Sequence, residues 1–303
     1  MKKIYVLEHF DFTTEQLKRL NSLGEIKYFE KATQEEIDEA INNADAILLD
    51  WLDPNPILAK MRKNQFICLP YTGYEWITTL QQAKENGVII SNTPNYSTNA
   101  VAEHHLALIL DCAKHITDFN NTYKSNIKVG FNRGLELNNK RIGIIGLGNI
   151  GKQLATLLSI FNAELVTYNR NPKNIANIKD VDLTTLLSTC DIVCITCKLT
   201  PETRNLIGLN ELNQMKKNAI LTSTTGGVIN LDELNLFLQK NNLFGIGLDD
   251  VDQQIVPAEL LKHNNLICTY HRAYDTNESE NNRINLCIDN IEAFLNNSPI
   301  NTI

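Results

Sequence analysis

The chain has no run of about 18 consecutive apolar residues, so no membrane span is predicted. Its 28 Lys and Arg are spread along the chain and are outnumbered by 35 Asp and Glu, for a formal charge of -7. That balance argues against nucleic acid as a partner. After Met1-Lys-Lys-Ile-Tyr-Val-Leu7, the polar Glu8, His9 and Asp11 come too early for a secretory leader, so a cytoplasmic setting is expected. Seven cysteines, an odd count in 303 residues, read as reduced thiols rather than a disulfide framework. Cys190, Cys194 and Cys197 look like a metal cluster at first sight. They fall on and beside the strand-like Asp191–Thr196, where alternation turns side chains to opposite faces, and are read as small core residues; no metal site is expected. There is no fixed-period repeat and no low-complexity tract.

What is present is ordinary globular material, 43% hydrophobic and 21% charged, in a length that fits two domains. Short apolar runs alternate with amphipathic stretches in two blocks. In the first, strands are predicted at 4–7, 26–29, 46–50, 66–69 and 88–90, with helices over 14–23 and 34–44. One long helix is predicted over about 99–123, followed by a polar arm to Lys140. The second block has predicted strands at 141–145, 164–168, 191–196, 219–223, 245–248 and 266–270, then a helix over 275–296. The pattern implies an α/β protein with two parallel sheets. Residues 1–98 with 275–303 are expected to form one discontinuous domain and 99–274 the other, with the ligand in the cleft between them at the strand carboxyl ends.

The most informative stretch is Arg141-Ile-Gly-Ile-Ile-Gly-Leu-Gly-Asn-Ile-Gly-Lys-Gln-Leu-Ala155. An apolar strand runs into glycines at 146, 148 and 151 and then into a helix with an apolar face. Gly146 permits a tight turn, Gly148 lets the backbone approach a pyrophosphate, and Gly151 allows close packing of helix on strand. The strand context makes this glycine pattern a dinucleotide site rather than a chance match. About 20 residues on, where an acid would hydrogen-bond the ribose 2′-hydroxyl of NAD, the chain has Asn169-Arg170. Loss of the acid removes repulsion toward a 2′-phosphate, and Arg170 can pair with one. NADP is therefore favoured, with NAD as the second candidate.

Several segments together resemble the D-isomer-specific 2-hydroxyacid dehydrogenases over nearly the whole chain. They are Asn92–Glu103, Glu136–Gly151, Leu199-Thr-Pro-Glu-Thr203, Gly247-Leu-Asp249 and His271-Arg-Ala273. The resemblance implies two Rossmann-like or flavodoxin-like domains and a homodimer formed through the long helix and its arm. It implies cofactor contacts at Gly146, Gly148, Asn149, Ile150, Gly151, Asn169, Arg170, Thr200, Thr224 and Asp249. It also implies a substrate-binding turn at Tyr71, Thr72 and Gly73, with Trp51 shaping the pocket.

The family's catalytic set is an Arg that grips the substrate, a His acid/base and a Glu behind the His. Here His271 matches the His, Thr225 stands where the Arg belongs, and Gln254 replaces the Glu. A neutral Gln orients an imidazole but stabilises its charge less than a carboxylate does. Thr225 donates one hydrogen bond and no positive charge. Arg272 is the candidate substitute cation. The resulting expectation is an NADP(H)-favouring reductase of a 2-oxo acid or related small carbonyl. The other reading is a nucleotide-binding homologue that acts as a sensor or interaction protein.

Overall fold

A computed structural model describes every residue except 129, 131 and 252–255. The chain divides into two compact units, Met1–Ser97 with Thr276–Ile303, and Thr98–Asp275.

In the first unit the order is β1 (Lys3–Val6), α1 (Thr14–Leu23), β2 (Glu25–Tyr28), α2 (Gln34–Asn43), β3 (Ala46–Leu48), α3 (Pro54–Lys60), β4 (Phe66–Leu69), α4 (Leu80–Glu85) and β5 (Ile89–Asn92). The sheet runs β2-β1-β3-β4-β5, with every described pairing parallel. Thr13 and Thr33 each form a capping box, which fixes where α1 and α2 start. Strand alternation sends Tyr5, Ile47 and Ile67 into one core cluster and Ile4, Leu48 and Phe66 into the other. Both faces are thus covered, as a parallel sheet requires.

The second unit holds α5 (Thr98–Lys114), α6 (Ile116–Lys124), β6 (Arg141–Ile145), α7 (Asn149–Leu158), β7 (Glu164–Tyr168), β8 (Lys179–Asp180), α8 (Leu183–Thr189) and β9 (Ile192–Ile195). It continues with α9 (Leu209–Leu212), β10 (Ile220–Ser223), α10 (Leu231–Leu238), β11 (Gly245–Leu248) and β12 (Leu266–Cys268). Its parallel sheet runs β12-β11-β10-β9-β6-β7-β8. The chain order reverses between β9 and β6, so the loop after β6 lies at the topological switch point. The final helix, α11 (Asn277–Leu295), returns to the first unit, where Ile284, Ile288 and Ile291 fill one of the two cores.

Three expectations need correction. The predicted helix over 99–123 is two helices, because His115 adopts a left-handed φ of 56°. Asp111 then takes over the start of α6, accepting from the Thr117 backbone N–H at 2.8 Å and from its hydroxyl at 2.5 Å. The strand predicted to stop at 90 runs on to Asn92. The carboxyl-terminal tail pairs with it there, Ser91 opposite Thr302 and Ile303 N–H on the Ile90 carbonyl at 3.1 Å. The last strand ends at Cys268 rather than Tyr270, since side-chain bonds beyond Thr269 pull the chain into a turn. Cys190 and Cys194 lie in the core, where burial raises their thiols to about 11 and about 12.

Candidate active site

All strands of the second unit are parallel, so the loops after β6, β7, β9, β10, β11 and β12 emerge at one end of its sheet. Of the site residues predicted in residues 98–275, those on the glycine turn, Asn169, Arg170, Thr200, Thr224, Thr225, Asp249, His271 and Arg272 follow these strands.

Gly146 has a φ of +96°, and a Cβ there would lie 2.5 Å from the Cys197 backbone. A Cβ on Gly151 would lie 2.4 Å from the Gly146 carbonyl oxygen. The Thr196 hydroxyl donates to that same carbonyl at 2.6 Å, locking the turn. A Cβ on Gly148 would meet nothing within 4 Å. Gly148 is the N-cap of α7 and makes no side-chain cap bond, and Asn149, Ile150 and Gly151 form the first turn of that helix. These features fit a dinucleotide pyrophosphate.

Asn169 follows β7 and is committed to the protein. Its Oδ1 accepts from Leu147 N–H at 2.6 Å, and its Nδ2 donates to Thr167 Oγ1 at 3.0 Å and Asp180 Oδ1 at 3.2 Å. It braces the glycine turn from outside. Arg170 beside it is exposed and contributes to holding Glu202 below the usual carboxylate range; the larger causes are the Thr200 hydroxyl bond and the Glu202 backbone. Thr200 sits in the turn after β9, its hydroxyl donating to Glu202 Oε2 at 2.7 Å.

After β10, Thr225 takes a small polar position. Its N–H donates to Ser223 Oγ at 3.2 Å and its carbonyl accepts from the same hydroxyl at 2.9 Å. Thr224 leans on a residue the sequence reading overlooked. His105, wholly buried on α5, places Nδ1 3.3 Å from Thr224 Oγ1 and Nε2 2.8 Å from Thr222 Oγ1. Burial pushes this imidazole down to about 3, so the ring is neutral, with one donor nitrogen and one acceptor to bridge the two hydroxyls.

Asp249 directly follows β11 and is 2% exposed. Its Oδ1 accepts from the Thr269 hydroxyl at 2.6 Å and Arg272 N–H at 2.8 Å, and its Oδ2 accepts from Ala273 N–H at 3.0 Å. The carboxylate therefore clasps the turn that carries His271. His104 lies behind it, with Nε2 3.1 Å from Thr269 Oγ1. The imidazole of His271 meets a second carboxylate, Asp250, through Nδ1. That bond holds the imidazole above its ordinary range against the opposing effect of burial. Asp250 was not among the predicted residues. Arg272 turns away to Asp275, 2.9 Å distant. Gln254 lies outside the described residues.

In the first unit, Tyr71 follows β4 and packs against Trp76 with ring centroids 5.7 Å apart. Burial pushes its phenol well above the usual range. The following turn is pinned by the Thr72 hydroxyl on the Thr93 carbonyl at 3.1 Å and by Asn92 Nδ2 on the Thr72 carbonyl at 2.9 Å. Gly73 is exposed. Trp51, three residues past the end of β3, is 72% exposed.

Residues 106–273 match the model of the D-isomer specific 2-hydroxyacid dehydrogenase, NAD binding domain. The chain is 28% identical to the hydroxypyruvate reductase of Blautia hydrogenotrophica, covering 99% of each protein. It is 31% identical to 2-hydroxyacid dehydrogenase A of Aspergillus oryzae, covering 97% of this chain and 90% of that one. A solved acyclic imino acid reductase, in complex with NADPH and D-Arg, superposes with a TM-score of 0.88 at 26% identity over 100% of both chains. The glycine turn, the parallel sheet around it and these matches agree: the chain belongs to the D-isomer-specific 2-hydroxyacid dehydrogenase family.

Proposed function

We propose that this protein is an NADP(H)-preferring oxidoreductase that reduces a 2-oxo acid or a related small carbonyl, with His271 as the acid/base. The observation that carries the reading is a carboxylate-held imidazole at the same sheet end as a glycine turn shaped for a dinucleotide. The bound cofactor supplies a hydride. The chain's part is to bind it along residues 146–151, to orient the reacting groups and to move one proton. An imidazole held above its ordinary range keeps its proton to higher pH than a free one and delivers it to the oxygen as charge develops there. Arg170, with no acid at 169, supports the 2′-phosphate preference. The turn at Tyr71, Thr72 and Gly73 is the proposed substrate-binding element of the first unit, with Trp51 beside it. A homodimer is part of the same proposal, supported by the exposed Ile116, Tyr123 and Ile127 on and after α6, and light scattering tests it.

Initial rates with NADPH and NADH against glyoxylate, hydroxypyruvate, pyruvate and bulkier 2-oxo acids test the main reading. Turnover with a clear preference for NADPH is expected. Tight nucleotide binding with no turnover on any carbonyl would favour the second reading, a nucleotide-binding protein without dehydrogenase activity. That reading draws on one observation: Thr225 holds the position of the family's Arg, and Arg272 is paired with Asp275.

A further inference from the structure

We propose that Asp250 is the positioning residue of this active site. One oxygen of its carboxylate holds the His271 imidazole by Nδ1, and the other ties that ring to the turn bearing Thr224 and Thr225. This rests on the reading of His271 as the acid/base.

The inference starts from two adjacent carboxylates with separate tasks. Asp249 spends both oxygens on the turn, taking the Thr269 hydroxyl and the N–H groups of Arg272 and Ala273. Asp250, next in the chain, gives Oδ1 to His271 Nδ1 and accepts Gly226 N–H on Oδ2 at 2.9 Å. A Cβ on Gly226 would lie 2.3 Å from the Asp250 carbonyl oxygen, so the two turns meet at backbone contact distance. Asp250 and His271 both adopt left-handed backbone, with φ of 59° and 51°. Such conformations persist in non-glycine residues where the surroundings enforce them, and they gather at functional sites.

The consequence is a defined tautomer. Nδ1–H is donated to Asp250, so Nε2 is left to exchange the proton with substrate. In the reducing direction Nε2–H passes to the carbonyl oxygen as hydride reaches its carbon. The ring becomes neutral, Nδ1–H stays in place, and Asp250 remains a carboxylate throughout. The charged groups acting on the ring, among the described residues, are Asp250, Asp249 and Arg272, with the Tyr274 ring 5.3 Å away. Asp250 dominates them by its hydrogen bond. Burial tends to raise the Asp250 carboxyl, but the bonds from His271 and Gly226 outweigh it and hold it below the usual carboxylate range. The chain thus has a carboxylate at the histidine although position 254 holds a Gln.

Asp250→Asn keeps the shape and removes the charge. The His271 imidazole, followed by NMR titration and assigned by its absence in His271→Ala, should titrate lower by about one pH unit. The high-pH fall in kcat/KM for carbonyl reduction should move down with it, because the protonated ring is the active form. Dissociation constants for NADPH should stay close to wild type, which also reports folding. Asp250→Glu, retaining the charge, should titrate close to wild type, and Asp250→Ser, which also removes the charge, takes the place of the Asn variant if that one does not fold. An unmoved His271 titration in Asp250→Asn, or in Asp250→Glu and Asp250→Asn alike, overturns the proposal. A shifted titration in a protein that reduces no carbonyl supports the role of Asp250 and removes the reductase reading instead.

Discussion

The glycine turn at 146–151 and the turn at 269–273 lie at the same end of one sheet but are held in opposite ways. The first is fixed by main chain. Gly146 and Gly151 pack against backbone atoms where no side chain fits, and the Thr196 hydroxyl bonds to a carbonyl. The second is fixed by side chains reaching from another loop, with Asp249 holding its backbone and Asp250 holding its imidazole. A main-chain device tolerates almost no change in residue type, so it leaves a recognisable string. A side-chain device has equivalent solutions, and a carboxylate can arrive from a different position in the sequence.

That contrast can be broken at four places. The largest effect is expected for His271→Ala, which should lower kcat/KM for carbonyl reduction by about 10²- to 10⁴-fold while leaving NADPH affinity near wild type. A small loss under steady-state assay would mean that the second turn is not catalytic. Gly151→Ala should weaken nucleotide binding by about ten- to a hundredfold, read by calorimetry, since its Cβ has nowhere to go. Asp249→Asn, which unbalances three hydrogen bonds at a buried position, should destabilise the protein by about 1–3 kcal/mol in denaturant titration. It should also reduce kcat more than nucleotide affinity. Arg170→Ala is the mildest. Exposure limits what one cation contributes, and the NADPH-to-NADH preference should fall by about tenfold or less in paired kinetic runs.

The fold was legible because apolar runs such as Phe66-Ile-Cys-Leu69 and Arg141-Ile-Gly-Ile-Ile145 carry strand identity locally, and glycines punctuate the turns. The break at His115 was not, since no Pro or Gly marks it and the cap comes from Asp111, earlier on the preceding helix. β8 is two residues long and lies at the sheet edge, too short to leave a periodic signal. Within the site, the glycines and the His271 segment were found by pattern. Asp250 was hidden because it stands beside the motif aspartate Asp249 and belongs to no motif itself, and His105 because a histidine on an apolar helix face carries no motif either. The pairing of Asn169 with the glycine turn shows the same limit: the missing acid was visible in the sequence, but its bond to Leu147 N–H was not.

The route of the polypeptide has a bearing on biosynthesis. One core of the first unit needs Ile284, Ile288 and Ile291, and strand β5 is finished by residues 301–303. The segment 98–275, by contrast, is continuous and supplies all seven strands of its own sheet. On the ribosome, the amino-terminal strands must therefore wait, incompletely covered, while the nucleotide unit is made and folds ahead of them. Nascent chains stalled before residue 276 should show a protease-resistant interior and a digestible amino-terminal region, an order of maturation opposite to the order of translation.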